Sequence, residues 1–348
     1  MLELKKIFVC EFITGGGLNA QSLPDSLAKE GALMRDALLY DLSSLPYHIS
    51  TTVDARLSKP KYCAESITVN AGDDIWQVWK TQMQSVDAVW VIAPETDGIL
   101  HYFTQIAALQ PQGLSSQNTL AKTDYACLKG KLVLGCGLES IEITSDKFAT
   151  YLALKQADIL TLPTYTYRNW PKGEGAWLAK PNDGAGCEDT VYYDNAENLM
   201  QWLVQHNKLL THVIQPYKRG VPASISCVMY RGKAQLLSCN TQLIDINQHQ
   251  LSYKGSIING MSEHWQAFER LANDIASAIP DLAGYVGVDV IVNGGEIYVL
   301  EINPRLTTSY VGLREATGAN PAELIINTLT NANFKWPKLQ QNIVSVHV

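Results

Sequence analysis

The segment that most constrains the fold is Gly284–Arg305, GYVGVDVIVNGGEIYVLEINPR. Two apolar runs, Tyr285 to Val292 and Glu296 to Asn303, flank Asn293-Gly294-Gly295, a turn sequence that predicts a tight β-hairpin. Strand residues alternate faces, so Asp289 shares a side with Ile291 and Asn293, and Glu301 with Asn303 and Arg305. The turn places Asp289 and Glu301 at similar distances from its tip, so two carboxylates and an amide are expected to project together with a guanidinium just beyond. A polar, solvated hairpin edge is the plain alternative. The neighbouring residues are almost wholly apolar, however, and buried carboxylates are costly unless a cation joins them. Asp289, Glu301 and Asn303 are therefore candidate Mg²⁺ ligands, since Mg²⁺ takes hard oxygen donors and keeps positions for phosphate oxygens.

Upstream the pattern is α/β. Ile7 to Phe12, His48 to Val53 and Asp87 to Ala93 read as strands, and Asp25 to Leu42, Asp74 to Gln84 and Asp97 to Leu109 as helices; such alternation implies a largely parallel sheet. Residues 110–137 read as connecting structure. A helix at Asp146 to Ala157 follows, then strands at Leu162 to Tyr167, Trp177 to Lys180, Val191 to Tyr193, His212 to Tyr217, Ser224 to Tyr230 and Ala234 to Leu243. Ser262 to Ile279 is an amphipathic helix, and Pro321 opens a final helix capped by Asn320.

Further segments carry chemistry. Ala179 to Cys187, AKPNDGAGC, puts a lysine before a glycine-containing loop, a pattern that offers backbone N–H groups and a point charge to phosphate. Ser145-Asp146-Lys147 opens a helix; taken alone, Lys147 reads as a surface lysine. Val213 to Gly220, VIQPYKRG, ends a strand in a Pro/Gly turn and reads as an adenine-facing edge or an interdomain hinge.

The chain has 348 residues and a formal charge of −7 without runs of one sign, which argues against a nucleic-acid partner. Its 7 cysteines form no C-x-x-C pair and the histidines no H-E-x-x-H, so a Cys/His zinc site is not expected. No run is long enough to suggest a membrane span or signal peptide, and a cytoplasmic protein is expected, with a homo-oligomer left open.

In order, S-D-K, I-L-T-L-P-T, A-K-P-x-x-G-x-G, V-I-Q-P-Y-x-x-G, G-V-D-V and L-E-I-N-P-R resemble the ATP-grasp superfamily over roughly Ser145 to Thr330. The resemblance implies an α/β and α+β architecture: an N-terminal pre-ATP-grasp lobe (1–137), a central lobe (138–217) and a C-terminal lobe carrying the metal site (218–348), the last two clamping ATP. It implies ATP as co-substrate and Mg²⁺, or alternatively Mn²⁺, as cofactor. It assigns Lys147, Lys180, Asp183, Gly184, Gly186, Gln215, Pro216 and Tyr217 to ATP, and Asp289, Glu301 and Asn303 to the metal. Arg305, with Lys180, falls to catalysis. The acidic ribose-binding residue of many members is absent; Pro222 stands there.

A narrower likeness, carried by E-F-I-T-G-G-G-L, A-x-E-G-x-L-M, I-A-P-E and G-V-P-A-S, is to the tyramine–glutamate ligases of methanofuran-type cofactor synthesis. It implies a glutamate carboxylate joined to tyramine or tyrosine, both small-molecule partners. Thr14, Gly15, Gly16, Glu95, Ser224, Lys254 and Tyr310 are the candidate substrate contacts. A metabolite kinase of the same superfamily and a non-catalytic ATP-binding regulator are the alternatives.

Overall fold

The computed structural model describes residues 4–108, 131–184, 187 and 189–348. The N-terminal layer runs β1 (Lys6–Glu11), α1 (Asp25–Ser43), β2 (His48–Asp54), β3 (Glu65–Val69), α2 (Ile75–Gln84), β4 (Ala88–Ile92), α3 (Ile99–Ala108) and β5 (Leu132–Val133). These strands form a five-stranded parallel sheet ordered β3-β2-β1-β4-β5. Alternation along β1 sorts the core: Ile7 and Val9 pack with Leu38, Leu39 and Leu42 of α1, whereas Phe8 and Cys10 join Trp79 of α2 and Phe103 of α3. Both faces of β4 are covered, as a central parallel strand requires. The edge strand β3 escaped the sequence reading because its half-buried ESITV lacks a strong apolar period. Most of the expected connection at 110–137 lies outside the described residues.

The glycine-rich stretch after β1 is a buried turn at Ile13–Gly17. Gly16 has φ +100°, and a Cβ there would lie 2.7 Å from the Val69 side chain, so both backbone and space demand glycine.

The rest of the chain forms α4 (Leu138–Ser145), α5 (Lys147–Gln156), β6 (Trp177–Pro181), β7 (Val191–Tyr193), α6 (Ala196–Gln205), β8 (His212–Pro216), β9 (Val221–Tyr230), β10 (Lys233–Asn247), β11 (Gln250–Ile258), α7 (Trp265–Ala278), β12 (Gly284–Asn293), β13 (Glu296–Asn303), α8 (Leu313–Thr317), α9 (Pro321–Thr330) and β14 (Val344–His347). Its strands make a nine-stranded sheet ordered β13-β12-β9-β10-β11-β7-β6-β8, with β14 on β11. The seam between β11 and β7 is narrow, Gln250 facing Val191. Helix α7 buries Phe268, Leu271, Ala272 and Ile275 against one face of the sheet, beside Ile225, Cys227, Val288 and Val290. The opposite face carries Val228 and Tyr285 in a second core with Ile325 of α9 and, further along the strands, Asp289 and Ser224 of the site.

The strand expected at Leu162 to Tyr167 reduces to isolated bridges, Thr161 with Val299 and Tyr165 with Ile214; Pro163, between them, has no N–H for a ladder. Helix α6 and strands β11 and β14 were not anticipated. Among the described residues no helix is long and apolar enough to cross a membrane.

Asp41 of α1 ties the N-terminal layer to the C-terminal segment. It accepts hydrogen bonds from the Tyr310 hydroxyl at 2.8 Å and from Arg314 at 3.0 Å, and its carbonyl accepts one from Asn320 at 2.8 Å. Tyr310 is 1% exposed. Tyr310→Phe is expected to cost about 1–2 kcal/mol in thermal or urea unfolding while leaving turnover near the parent's; a large loss of activity in a stable variant would show that the hydroxyl serves a substrate.

Candidate active site

The hairpin brings Asp289 and Glu301 directly opposite one another. Counting back from the turn, Asn293 faces Glu296 and Val290 faces Val299, which would set Asp289 against Leu300. The register instead shifts between Asp289 and Val290, making Leu300 the extra residue of a β-bulge. That insertion turns Glu301 and Asn303 onto the face of Asp289, because residues directly opposite across an antiparallel pair share a side. Ser224 is the next neighbour across the sheet, on β9.

Each oxygen of Asp289 has an amide donor: Gln242 Nε2 at 2.8 Å to Oδ1 and Asn303 Nδ2 at 3.1 Å to Oδ2. Glu301 Oε2 lies 3.4 Å from Lys180 Nζ and 3.6 Å from Lys147 Nζ. Lys180 Nζ is also 3.4 Å from the Leu300 carbonyl exposed by the bulge. Burial alone would raise the Glu301 carboxyl, but the ammonium groups of Lys147 and Lys180 outweigh it and hold Glu301 ionised. Asp289 is driven the other way, by burial first and then by the charge of Glu301. Burial likewise pulls the Lys180 ammonium down, against the attraction of Glu301.

Lys147 is buried rather than exposed. Asn182, just beyond β6, explains this: its carbonyl accepts from the Lys147 amide at 2.9 Å, its Oδ1 from the Phe148 amide at 3.1 Å, and its Nδ2 donates to Asp146 Oδ2 at 2.7 Å. Asp146 also caps α5 through the Ala149 amide at 2.7 Å. The start of α5 and the end of β6 are thus one unit carrying both lysines. Lys147 Nζ donates to the Gly184 carbonyl, and a Cβ at Gly184 would meet Pro181 at 2.7 Å. Asp183 Oδ2 accepts from the Asp97 amide at 3.1 Å. Gly186 lies outside the described residues.

Gln215 is buried in β8, where its Nε2 donates to Thr164 at 2.8 Å. It pairs with Leu178, and the Tyr217 amide donates to the Ala176 carbonyl at 2.9 Å. Ladder alternation therefore turns the Pro216 carbonyl away from β6. The Tyr217 ring stands edge-on to Tyr192.

Arg305 is buried against Glu95 of the N-terminal lobe: its Nε and Nη2 donate to Glu95 Oε2 at 3.0 and 2.9 Å, and its Nη1 to the Leu306 carbonyl at 3.0 Å. Ser224 accepts from Asn240 at 3.2 Å. Thr14 is buried, bonding Glu11 Oε2 through its hydroxyl and amide, and Gly15 and Gly16 pack beside it. Lys254 is exposed, and Tyr310 is spent on Asp41. The structure thus groups Lys147, Lys180, Asp289, Glu301, Asn303 and Ser224, joins Arg305 to Glu95, and gives Thr14 and Tyr310 packing partners of their own. Gln242, Asn240 and Asn182 were missed; polar side chains at inward positions of a strand, or two residues after a phosphate-type lysine, were the available signal.

An ATP-grasp domain family matches residues 144–309, and a pre ATP-grasp 3 domain matches residues 47–117. The tyramine–L-glutamate ligase of Methanocaldococcus jannaschii is 28% identical over 345 residues, 97% of this chain and 93% of the relative. That of Methanocaldococcus fervens is 31% identical over 253 residues, 73% of this chain and 69% of the relative. The crystal structure of an ATP-grasp superfamily protein from Archaeoglobus fulgidus superposes with a TM-score of 0.69 at 21% identity, covering 98% of this chain and 99% of that one. The chain belongs to the ATP-grasp superfamily and is an ATP-dependent ligase.

Members of this superfamily use ATP with a divalent ion, and the donor set fits one. Two largely enclosed carboxylates face each other with an amide beside them, and desolvation, then the charge of Glu301, pushes Asp289 toward its protonated form. A cation between them would remove that conflict, and Asp, Glu and Asn supply the oxygen donors that magnesium prefers.

Proposed function

We propose that this chain forms an amide by activating a glutamate carboxylate with ATP and passing it to tyramine, the pair in the name of its Methanocaldococcus relatives, or to tyrosine. The grouping of Lys147, Lys180, Asp289, Glu301 and Asn303 from elements of the central and C-terminal lobes, with Arg305 just beyond the end of β13, carries the reading. The three lobes divide near residues 137 and 217.

A carboxylate resists amines because it offers no leaving group; converting it to an acyl phosphate supplies one. Phosphoryl transfer asks the protein chiefly for in-line positioning and neutralisation of charge. Lys147 and Lys180, fixed by Asn182 and the bulge carbonyl, hold phosphate oxygens from one side. Asp289, Glu301 and Asn303 would hold Mg²⁺, which when bound would neutralise phosphate charge. Gln215 to Tyr217 receive the adenine, with the Pro216 carbonyl facing its amino edge. Arg305 stabilises charge on the transferred group and then on the tetrahedral oxyanion as the amine attacks. Burial of these groups keeps water from the acyl phosphate.

The test is product analysis. With Mg²⁺-ATP, L-glutamate and tyramine or tyrosine together, ADP, free phosphate and an amide of the summed mass less water are expected in equal amounts. Phosphate retained on an organic product would identify a kinase instead. ATP binding without turnover across the acid and amine panel would identify a regulator.

A further inference from the structure

Glu95 uses its two oxygens unequally. It follows β4, is 4% exposed, and takes both Arg305 donors on Oε2. Its Oε1 is buried with no hydrogen-bond partner among the described residues. A buried carboxylate oxygen without a donor is unfavourable, and the donor that best offsets a negative charge is a cation. The location is specific: two residues on, the Asp97 amide holds Asp183 where the phosphate-binding loop begins. Asp97 has φ +55°, a left-handed conformation that a non-glycine residue adopts only when its surroundings impose it. The segment Glu95–Asp97 therefore touches both the guanidinium that faces the acyl group and the start of the phosphate loop.

Resting on the ligase reading above, we infer that Glu95 sets the plane of the Arg305 guanidinium through Oε2 and receives a cationic nitrogen of a substrate on Oε1. A carboxylate next to Arg305 and an ammonium next to Glu95 then lie side by side, so this corner recognises a zwitterionic amino acid or the incoming amine. The two sources share one chemistry and differ in what the protein discriminates.

Titration calorimetry with Mg²⁺ and a non-hydrolysable ATP analogue separates them. The probes are two matched pairs, L-glutamate against glutarate and tyramine against 4-ethylphenol, in which the second member lacks the ammonium. The parent is expected to prefer the ammonium-bearing member of one pair by at least about tenfold. Glu95→Gln, nearly isosteric, should erase that preference while leaving nucleotide affinity and the other pair unchanged. Which pair responds names the source. Glu95→Asp, which keeps the charge but shortens the arm, should weaken the preference, and serves also if the glutamine variant does not fold. A parent without preference in either pair, or a preference that survives in Glu95→Gln, overturns the inference. Orientation of Arg305 is read separately, as a fall in kcat at saturating substrates with the KM for ATP unchanged; an unchanged kcat removes that half. Because binding is measured without turnover, a parent that discriminates the ammonium yet forms no amide sinks only the ligase reading.

Discussion

Glu301→Gln is expected to lower amide formation by about 10³-fold or more with the circular dichroism of the parent retained. The substitution preserves shape and removes a charge that lies beside the ammonium groups of Lys147 and Lys180 and that, on the proposed reading, would also ligate the metal with Asp289. Those effects separate in the kinetics. Freed from their shared anion, the lysines attract phosphate at least as strongly, so the KM for ATP should stay level or fall while kcat collapses. Loss of a merely structural carboxylate would move melting temperature without that split. Truncation to alanine is a poorer test, because it leaves two buried ammonium groups unpaired, a defect of about 3–5 kcal/mol. Near-parental turnover of Glu301→Gln with Mg²⁺-ATP would show that the hairpin does not hold the metal.

Arg305→Lys should reduce kcat by about 10²–10³-fold. Arginine here keeps its plane by binding Glu95 along one edge and the Leu306 carbonyl on another, so its remaining N–H groups have a fixed direction. Lysine offers a mobile point charge and cannot satisfy Glu95 while aiming a second donor at an oxyanion. The loss should appear mainly in kcat, since the residues proposed to hold the nucleotide lie on other elements. Retained activity would take Arg305 out of the mechanism and leave its pairing with Glu95 as an interlobe tie.

The N-terminal parallel layer was readable because β1, β2 and β4 are bounded apolar runs separated by amphipathic helices. Strand β3, half-polar at a sheet edge, gave no such signal, and β14 is defined only by its partner β11. Ordered motifs pointed to the two lysines, the hairpin carboxylates and Arg305. What they could not give was depth and contact. Lys147 reads as a surface residue until Asn182 is seen holding the first turn of α5, and Gln242 acquires meaning only when the register of β10 sets it beside Asp289. Tyr310 is a candidate substrate contact in the sequence, and nothing local announces that Asp41, far back in the chain, takes its hydroxyl.

Leu300 carries a consequence of another kind. Alternation along each arm of the hairpin is correct taken separately, yet the two arms agree only because the surplus residue of the longer arm is bulged out of the ladder. The chemistry is therefore recorded in strand length as much as in residue identity. Were the ladder to run regularly through Leu300, every acidic group, the loop and the overall hydrophobicity would be preserved, while Glu301 and Asn303 went to the helix-packed side. In this chain the spacing from Glu301 back to the turn has meaning only together with the bulge that absorbs Leu300.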